Sequence, residues 1–503
     1  MRELLKRQGA VFDMDATCAR DTEVVVLPKA ALDALPPRGH AALLRRELRR
    51  ATKKGGAPKE HARVTLASVD ATTLCVLPTT ARARGDARRL ADALASTDGF
   101  CEDVLDCAAL GFKRHRRRKF ADGGPSGTCV VLDAAGAART FGDEAIGEAT
   151  GDLSELRSAV AAWTADAEAS FARVLLVADE TATLWSRVAV ASADAVLVVA
   201  LQGDASGARG KAERALLWPI EDGAQKMVHP TGALPRQVLA IVHDEGFGET
   251  WPLPTHTNRF LKERPSLDDP GHLHLRLSRS RGQFLAGDVR RLARFVAGKA
   301  VGVVLGGGGA KGLGHLGALR AFRRLGVEID VVCGCSQGAM IGALVSREAG
   351  WPAAGLWGKD DDEEAPLATT VAKTATFCDL LSDVVTVVRD YNALSTSLSY
   401  FGGGAFAGGV LRTVGDFAIE DAWLPFFCVS TDVRTCDVRV HASGDHAPRA
   451  VLASMSLVGW FPPVYDGGSL LVDGGYAANM PARQLRDAFV GDRATVVGRA
   501  GKG

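Results

Sequence analysis

The amino-acid sequence predicts an α/β fold in which two α/β domains follow one another along the chain. Between Val301 and Arg347, an apolar run, a glycine turn and a helical pattern occur twice in succession, as in the βαβ units of a parallel sheet. From Arg63 to Arg276, short β-branched runs alternate with helical patterns in the same way. We therefore expect a smaller α/β domain ahead of a larger one that contains the glycine turns.

Length and composition narrow the class of protein. The chain has 503 residues, 47% of them apolar, and a formal net charge of +1. It is therefore globular, with no global charge that would favour a nucleic-acid partner. Its 10 cysteines include no C-x-x-C pair, which suits a reducing compartment. Met1–Lys6 lacks the apolar core of a signal peptide, and no apolar run is long enough for a membrane span. We expect a soluble or peripheral protein on the cytosolic side.

The first domain is expected to alternate strands with helices. The predicted segments are a strand at Thr73–Leu77, a helix at Asp86–Ala95, a strand at Thr128–Asp133, a helix at Ser154–Ala167, and strands at Arg173–Ala178 and Ala195–Leu201. The last two are continuous apolar runs, typical of strands buried on both faces. No glycine fingerprint follows the first strand, and Gly203, Gly207 and Gly210 are too widely spaced for one. We predict a scaffold rather than a cofactor site.

Ser336 lies at the centre of a G-x-S-x-G pentapeptide that begins at Gly334 and ends at Gly338. The pentapeptide stands between an apolar run from Ile329 to Cys333 and a helical pattern. This placement predicts a nucleophile elbow, a tight strand-to-helix turn at which only glycine leaves room for neighbouring backbone. The N-terminus of the helix would present free N–H groups to a developing oxyanion.

A glycine-rich segment follows the predicted strand from Val301 to Leu305, and it has three interpretations. A dinucleotide fingerprint requires an acidic residue after the next strand, whereas Glu328 and Asp330 precede it. A phosphate-binding P-loop requires Gly-Lys-Ser/Thr, which is absent here. We favour the third interpretation, an oxyanion hole. Its proposed donors are the N–H groups of Gly307, Gly308, Gly309 and Ala310, with Lys311 and Gly312 completing the motif.

These motifs, taken in order, resemble the three signatures of patatin-like phospholipases. The signatures are GGGGAKG from Gly306 to Gly312, GCSQG from Gly334 to Gly338, and Asp473-Gly474-Gly475. The flanks at Asp288–Phe295 and Asp473–Pro481 are similar to the neuropathy target esterase branch of that family. The resemblance implies a three-layer patatin-like α/β/α catalytic domain at residues 284–503, preceded by a Rossmann-like scaffold domain at residues 63–276. Residues 1–50 resemble the end of a cyclic-nucleotide-binding domain that lacks its phosphate cassette.

The base that activates Ser336 has two candidate arrangements. All 11 histidines precede Asp473, so Asp473 cannot be the acid of a triad in the order serine, acid, histidine. A triad of Asp432 or Asp437 with His441 or His446 stays open. The other arrangement is a dyad in which Asp473 accepts the Ser336 proton, and the family resemblance implies this one. Gly474 and Gly475 suit a carboxylate delivered on a tight turn.

The resemblance further implies a lysophospholipase or phospholipase B that needs no metal and no other cofactor. It implies a phospholipid or lysophospholipid substrate, no nucleic acid, and peripheral contact with the cytosolic face of the endoplasmic reticulum. Three features depart from the family pattern: Gln337 is polar, Cys335 replaces the usual threonine, and the chain ends 28 residues after Gly475. Two rival functions are a catalytically impaired lipid-binding relative and a Rossmann-type nucleotide binder.

Four further segments have an ordinary interpretation beside a functional one. The basic run Lys113–Lys119 suits a solvated loop, a nuclear signal or contact with anionic lipid. His272 and His274 would share one strand face as a metal pair, but no third ligand is near, so we expect ordinary surface or hydrogen-bonded histidines. Phe284–Val296 predicts an amphipathic helix packed on the catalytic domain rather than inserted into a membrane. The acidic run Lys359–Glu364 predicts a solvated loop.

Overall fold

The computed structural model describes residues 71–97, 129–142, 153–204, 206–217, 235–245, 252–264, 271–325, 327–348, 365–383, 390–391, 399–488 and 495–499. All of these residues belong to one compact unit of the chain. The predictions for residues 1–50, for the basic run 113–119 and for the acidic run 359–364 lie outside the described residues.

The first half of the described chain alternates strands with helices. In chain order its elements are β1 (Thr73–Pro78), α1 (Ala81–Ala95), β2 (Cys129–Leu132), α2 (Ala134–Phe141), α3 (Leu153–Ser170), β3 (Arg173–Val177), α4 (Leu184–Ser192), β4 (Ala195–Leu201), α5 (Lys211–Leu217), β5 (Arg236–Asp244), α6 (Asn258–Lys262), β6 (His272–Ser278), β7 (Gln283–Phe284) and α7 (Ala286–Val296). The expected α/β alternation is confirmed. Helix α1 begins five residues before the predicted Asp86, because Thr80 caps it by accepting a hydrogen bond from the Ala83 N–H.

The strands of this half form one sheet in the order β2-β3-β1-β4-β5-β6-β7. All neighbouring pairs are parallel except β6 with β7. β4 pairs with β1 on one side and β5 on the other, and all seven of its residues are buried. Its apolar, β-branched sequence, AVLVVAL, is therefore explained by packing on both faces.

The second half contains the predicted catalytic motifs. Its elements are β8 (Val301–Leu305), a 3-10 helix (Gly309–Leu313), α8 (Gly314–Arg324), β9 (Val331–Cys335), α9 (Gln337–Glu348), α10 (Ala365–Ser382), α11 (Gly404–Val414), a second 3-10 helix (Ile419–Asp421), β10 (Phe426–Asp432), β11 (Asp437–His441), α12 (Ala447–Met455), β12 (Val464–Asp466), β13 (Ser469–Asp473), α13 (Gly475–Ala478), α14 (Ala482–Ala488) and β14 (Thr495–Arg499).

Strand β10 organises the second sheet. β14, β8, β9 and β10 pair in parallel, whereas β11 and β13 both pair with β10 in antiparallel fashion. β11 occupies one edge of β10 over residues 428 to 432, so β9 and β13 share the other edge. On that edge, Val429 is opposite Cys335 and the next residue, Ser430, is opposite Asp473. The carboxyl ends of β9 and β13 therefore meet head to head.

Three apolar cores hold the layers together. One lies between the first sheet and helices α2 to α6, and another lies between the second sheet and helices α9 to α12. The third contains α1, α7 and side chains from both sheets. Helix α7 therefore contributes its apolar face to this shared core, as the amphipathic pattern predicted. No helix of the described residues is both long enough and apolar enough to span a bilayer.

The strand that carries the elbow begins two residues later than the apolar pattern indicated. We expected Ile329–Cys333, but the strand is Val331–Cys335. The shift has an electrostatic reason: the buried Asp330 carboxylate accepts hydrogen bonds from the Val301 N–H and from Arg294. Because Asp330 is committed to these donors, the regular ladder with β8 begins at Val331.

Three buried histidines connect the first sheet to the second 3-10 helix. The Nε2 atoms of His272 and His274 lie 3.0 and 2.9 Å from the Glu420 carbonyl oxygen, and His243 Nε2 lies 2.9 Å from His274 Nδ1. Because a carbonyl only accepts, both Nε2 atoms at Glu420 carry protons, and His243 then donates to His274. Of the two alternatives expected for His272 and His274, surface or hydrogen-bonded, the hydrogen-bonded one is confirmed, and all three histidines are buried.

Candidate active site

Ser336 sits on a strained turn between β9 and α9. Its φ of 52° lies in the left-handed region that non-glycine residues rarely adopt. Gly338 makes this turn possible, because a Cβ at that position would overlap the carbonyl of Leu305 on the neighbouring strand. A Cβ at Gly334 would overlap the backbone of Ala339 in the same way. Both glycines of the G-x-S-x-G motif are therefore needed where backbones approach closely, as expected for a nucleophile elbow.

The structure brings Ser336 and Asp473 into direct contact. Ser336 Oγ donates a hydrogen bond of 2.7 Å to Asp473 Oδ2, although the residues are 137 positions apart. The contact follows from the head-to-head meeting of β9 and β13 along β10. Strand β13 ends at Asp473. A hydroxyl that donates to a carboxylate at this distance can transfer its proton directly when it attacks a carbon.

The Asp473 carboxylate is held in one orientation. Its Oδ1 accepts a hydrogen bond of 2.7 Å from the Gly475 N–H, and its main-chain carbonyl accepts one of 2.9 Å from Thr431 Oγ1. The residue is only 4% exposed. Burial raises the pKa of this carboxyl above the usual range for aspartate, and the hydrogen bonds from Ser336 and Gly475 offset part of that rise. A raised pKa makes Asp473 a stronger base than an exposed aspartate.

Ser454 is a site residue that the sequence analysis did not identify as functional. Its Oγ accepts the Ser336 N–H at 2.8 Å and donates to the Val429 carbonyl at 2.6 Å. The side chain is completely buried at the end of α12. It therefore links the strained elbow residue to β10, the strand that aligns Ser336 with Asp473. The pattern Ala-Ser-Met-Ser around it carried no chemical signal.

The glycine loop lies directly beside the nucleophile. A Cβ at Gly307 would be 3.2 Å from the Cβ of Ser336 and would overlap the side chain of Asn479. The Gly307 N–H, one of the predicted oxyanion donors, donates to the Asn479 carbonyl at 3.0 Å, and its service in an oxyanion hole stays a prediction. Gly307 allows the close approach, and Asn479 ties the loop to the turn after Asp473. Sequence analysis also missed this role of Asn479.

The remaining predicted donors lie on the exposed side of the loop. Gly308, Gly309 and Ala310 are exposed at the start of the 3-10 helix. Within the described part of the chain, no acceptor is bonded to their N–H groups. They are thus free to donate to a negatively charged oxygen. Their service as an oxyanion hole stays a prediction. The close contact of Gly307 with Ser336 favours it over a nucleotide site.

Gln337 is buried beneath the same loop. Its side chain is 6% exposed and packs so tightly on Gly312 that a Cβ there would lie 2.6 Å from Gln337 Cγ. Nε2 of Gln337 has no hydrogen-bond partner. Lys311, which precedes Gly312, is exposed. The polar Gln337, which departs from the family pattern, therefore alters the floor under the glycine loop. Its one unpaired buried donor costs about 1 to 3 kcal/mol of folding free energy.

The histidine triads considered from the sequence are not formed at Ser336. His441 Nε2 lies 2.7 Å from Ser430 Oγ, and His441 Nδ1 lies 3.2 Å from Asp445 Oδ2. His446 is hydrogen-bonded to Asp416. Asp432 accepts from Ser469 and Asp437 is exposed on β11. In the described residues, Asp473 is the acidic group bonded to Ser336, which leaves the dyad as the arrangement that fits.

Cys335 adjoins the nucleophile but is not placed as one. Its thiol is buried against Gly474, where a Cβ would lie 3.0 Å from Sγ. Burial raises the pKa of the Cys335 thiol, and the nearby Asp473 carboxylate raises it further. The group is therefore a neutral thiol at physiological pH, and Ser336 stays the predicted nucleophile.

Comparison with protein families assigns both halves of the chain. Residues 303–486 match the model described as Patatin-like phospholipase, and residues 122–296 match the Neuropathy Target Esterase family P-loop like domain. Residues 303–486 therefore form a patatin-like phospholipase domain, and the resemblance seen in the three motifs is confirmed. The second match extends that resemblance to the neuropathy target esterase branch. The exact domain boundaries stay a prediction.

Several relatives are similar to about two thirds of the chain. Lysophospholipase NTE1 of Cryptococcus neoformans var. neoformans serotype D is 31% identical in an alignment of 374 residues that covers 66% of this chain and 21% of that protein. Patatin-like phospholipase domain-containing protein 6 of Homo sapiens is 34% identical in an alignment of 341 residues that covers 64% of this chain and 22% of that protein. The chain thus spans about a fifth of the length of these relatives.

One solved structure aligns only loosely with the chain. VipD from Legionella pneumophila is 16% identical, with a TM-score of 0.22, and the alignment covers 40% of this chain and 49% of that one. A score at this level supports no structural argument.

Proposed function

We propose that this protein is a serine lipid esterase that hydrolyses acyl esters of lysophospholipids or phospholipids through a Ser336–Asp473 dyad. The observation that carries the proposal is the 2.7 Å hydrogen bond from Ser336 Oγ to Asp473 Oδ2, formed on a strained strand-to-helix turn. A serine is a weak nucleophile until a base accepts its proton. Asp473 is the acceptor in contact with it.

The first half of the proposed reaction forms an acyl-enzyme. Ser336 Oγ attacks the ester carbonyl carbon while its proton passes to Asp473 Oδ2. The carbonyl oxygen becomes an oxyanion, which the N–H groups of Gly308, Gly309 and Ala310 are placed to stabilise. Each such donor typically contributes on the order of 100- to 1000-fold in turnover. The tetrahedral intermediate then expels the alcohol, which takes the proton from Asp473 and leaves the acyl group on Ser336.

The second half releases a fatty acid. A water molecule attacks the acyl-Ser336 carbonyl and loses a proton to Asp473. Collapse of the second tetrahedral intermediate breaks the bond to Ser336 Oγ, and the proton on Asp473 returns to this oxygen. The raised pKa of the Asp473 carboxyl supports its use as both base and acid, because a carboxyl closer to neutrality holds the transferred proton better.

The class of substrate is supported by the relatives and by the surface around the site. Two relatives are named lysophospholipase or patatin-like phospholipase domain-containing protein. Large apolar side chains beside the Asp473 turn are exposed, among them Trp460 at 53% and Val458 at 55%. The Val458 N–H bonds to the hydroxyl of Tyr476, which follows the Asp-Gly-Gly turn. Peripheral contact with the cytosolic face of a membrane is part of the proposal.

A lipid panel tests this function. The purified full chain is incubated with a lysophospholipid, a diacyl phospholipid, a triacylglycerol and a short-chain soluble ester, and fatty acid or alcohol release is measured. We expect release from the lysophospholipid or the phospholipid, and none with Ser336→Ala. Release that persists in Ser336→Ala, or hydrolysis of the soluble ester alone, contradicts the proposal.

A catalytically impaired relative is the second candidate, and the unpaired Gln337 Nε2 is the observation that favours it. In this case the wild-type chain binds vesicles but hydrolyses no member of the panel. Gln337→Ser would then restore turnover, because it removes the buried unpaired donor and the bulk beneath Gly312. If the wild type is active, this candidate is rejected.

A further inference from the structure

An open groove lies between helices α10 and α11, on the side of the second sheet where α9 packs. Its cavity volume is about 280 Å³, close to the lower end of the range for small-molecule sites. The groove is lined by Ala372, Lys373, Thr376, Phe377 and Leu380 from α10 and by Gly409, Arg412 and Thr413 from α11. These positions recur at helical spacing on the facing sides of both helices.

The floor of the groove is apolar and rigid. Phe377 is buried, and its ring packs against the ring of Phe406 with centroids 6.0 Å apart. The two helices meet most closely at Gly409, where a Cβ would lie 2.5 Å from Leu380 Cδ2. The groove therefore has a closely packed apolar base, which suits a hydrocarbon chain.

The rim of the groove carries the positive charge of Arg412. Arg412 is exposed, and no carboxylate of the described residues lies within ion-pair distance of its guanidinium. Its NH1 lies over Gly408, where a Cβ would be 3.2 Å away. The other cation, Lys373, is already paired with Glu348. A guanidinium at the mouth of an apolar groove complements a ligand with a hydrocarbon tail and an anionic head.

Stacked aromatic rings connect the floor of the groove to a loop near the Ser336–Asp473 dyad. Phe406 stacks on Phe461 with centroids 3.9 Å apart and planes inclined by 10°. Phe461 follows the short loop in which the Ser456 carbonyl accepts the Asp473 N–H at 2.8 Å. Stacked rings thus lead from the groove floor to the loop beside the catalytic carboxylate. Among the described residues, none that lines the groove is hydrogen-bonded to the side chain of Ser336 or Asp473.

We propose that this groove is a second binding site, which holds one long-chain fatty acid with its carboxylate on Arg412 and its chain against Phe377 and Leu380. The choice of a fatty acid rests on the proposed function, since a fatty acid is the product of that reaction. Binding itself needs no turnover. The site can therefore be tested in a chain that cannot react.

Calorimetric titration of full-length Ser336→Ala with dodecanoate below its micellar concentration tests the proposal. We expect saturable binding of one molecule that Arg412→Gln weakens at least tenfold, because one charge-assisted hydrogen-bonded contact is lost. Arg434→Gln, which removes an exposed arginine from the turn after β10, is the matched control and should leave binding unchanged. Dodecanol should bind Arg412→Gln and the parent equally, since it has no charge for the guanidinium.

A second variant fills the groove without touching its charge. Thr376 is exposed on α10, so Thr376→Trp should fold and should abolish dodecanoate binding. The proposal is overturned if dodecanoate shows no saturable binding, or if neither variant changes that binding. It is also overturned if both variants still bind dodecanoate and a long-chain fluorophosphonate attached to Ser336 of the wild type blocks the binding. Groove binding in a chain that hydrolyses no lipid would reject the proposed function and leave the groove assignment standing.

Discussion

The three buried histidines, His243, His272 and His274, allow a quantitative prediction of how the stability of the fold depends on pH. Burial lowers the pKa of His243 to about 3, from an ordinary value of 6.5. Its Nε2–H donates to His274, whose pKa burial also lowers well below the ordinary value. The folded protein therefore needs these imidazoles neutral, whereas the unfolded chain protonates them below pH 6.5. Their contribution to stability is fully present above pH 6.5 and is lost as the pH falls from 6.5 toward 3.

The magnitude follows from proton linkage for His243 alone. Between pH 7.5 and pH 5.0, the unfolded imidazole gains almost one proton and the folded one gains none. The free energy of unfolding should therefore fall by about 2 kcal/mol from this residue. His272, whose pKa burial also lowers, and His274 act in the same direction. The wild type should lose more than this amount.

Urea unfolding followed by tryptophan fluorescence measures the effect. Trp423 is a suitable reporter, because its ring centroid lies 5.0 Å from that of His243. His243→Gln should lose about 2 kcal/mol less than the wild type between pH 7.5 and pH 5.0. Other titrating groups are common to both chains and cancel in the comparison. Equal losses in the two chains would refute the argument that His243 is held neutral.

Three other predictions concern the site. Gly338→Ala should abolish esterase activity and lower the thermal midpoint, because its Cβ overlaps the Leu305 carbonyl, whereas Gly317→Ala on α8 meets no atom within 4 Å and should leave both unchanged. Ser454→Ala should lower kcat by about tenfold or more with little change in KM, since it leaves the Ser336 N–H and the carbonyl of β10 unpaired at about 1 to 3 kcal/mol each; an equal rise in KM with constant kcat would contradict a positioning role. In the pH dependence of kcat/KM, activity should rise with pH as Asp473 loses its proton, and burial should place this acid limb above the pKa of an exposed aspartate; a limb at or below the ordinary aspartate pKa would contradict the assignment.

The contact between Ser336 and Asp473 was predictable because each residue stands in a motif with a local physical reason. Gly338 identifies a turn where backbones touch, and Ser336 is the residue that such a turn exposes. Gly474 and Gly475 identified the tight turn that follows the Asp473 carboxylate. The alternating pattern was also sufficient for the α/β class, since strands buried on both faces have continuous apolar sequences.

The features that sequence analysis missed depend on contacts between residues that are far apart in the sequence. Ser454 acts because α12 ends beside Val429, and no property of its own sequence indicates that neighbour. The Gly307 N–H donates to the carbonyl of Asn479, which is 172 positions away along the chain. No local pattern around Gly307 indicates this hydrogen bond. Likewise, the pairing of β11 with β10, which leaves one edge for both β9 and β13, is a property of the assembled sheet. Local patterns do not carry this information.

Covalent labelling of the wild type and of Asp473→Asn by a fluorophosphonate tests the dyad most directly. We expect the wild type to incorporate one label, located on the peptide that contains Ser336, and Asp473→Asn to react on the order of 100- to 10,000-fold more slowly, the usual contribution of a positioned base. Circular dichroism should show the same fold for both chains. Label on another residue, or undiminished labelling of Ser336 in Asp473→Asn, would contradict the account.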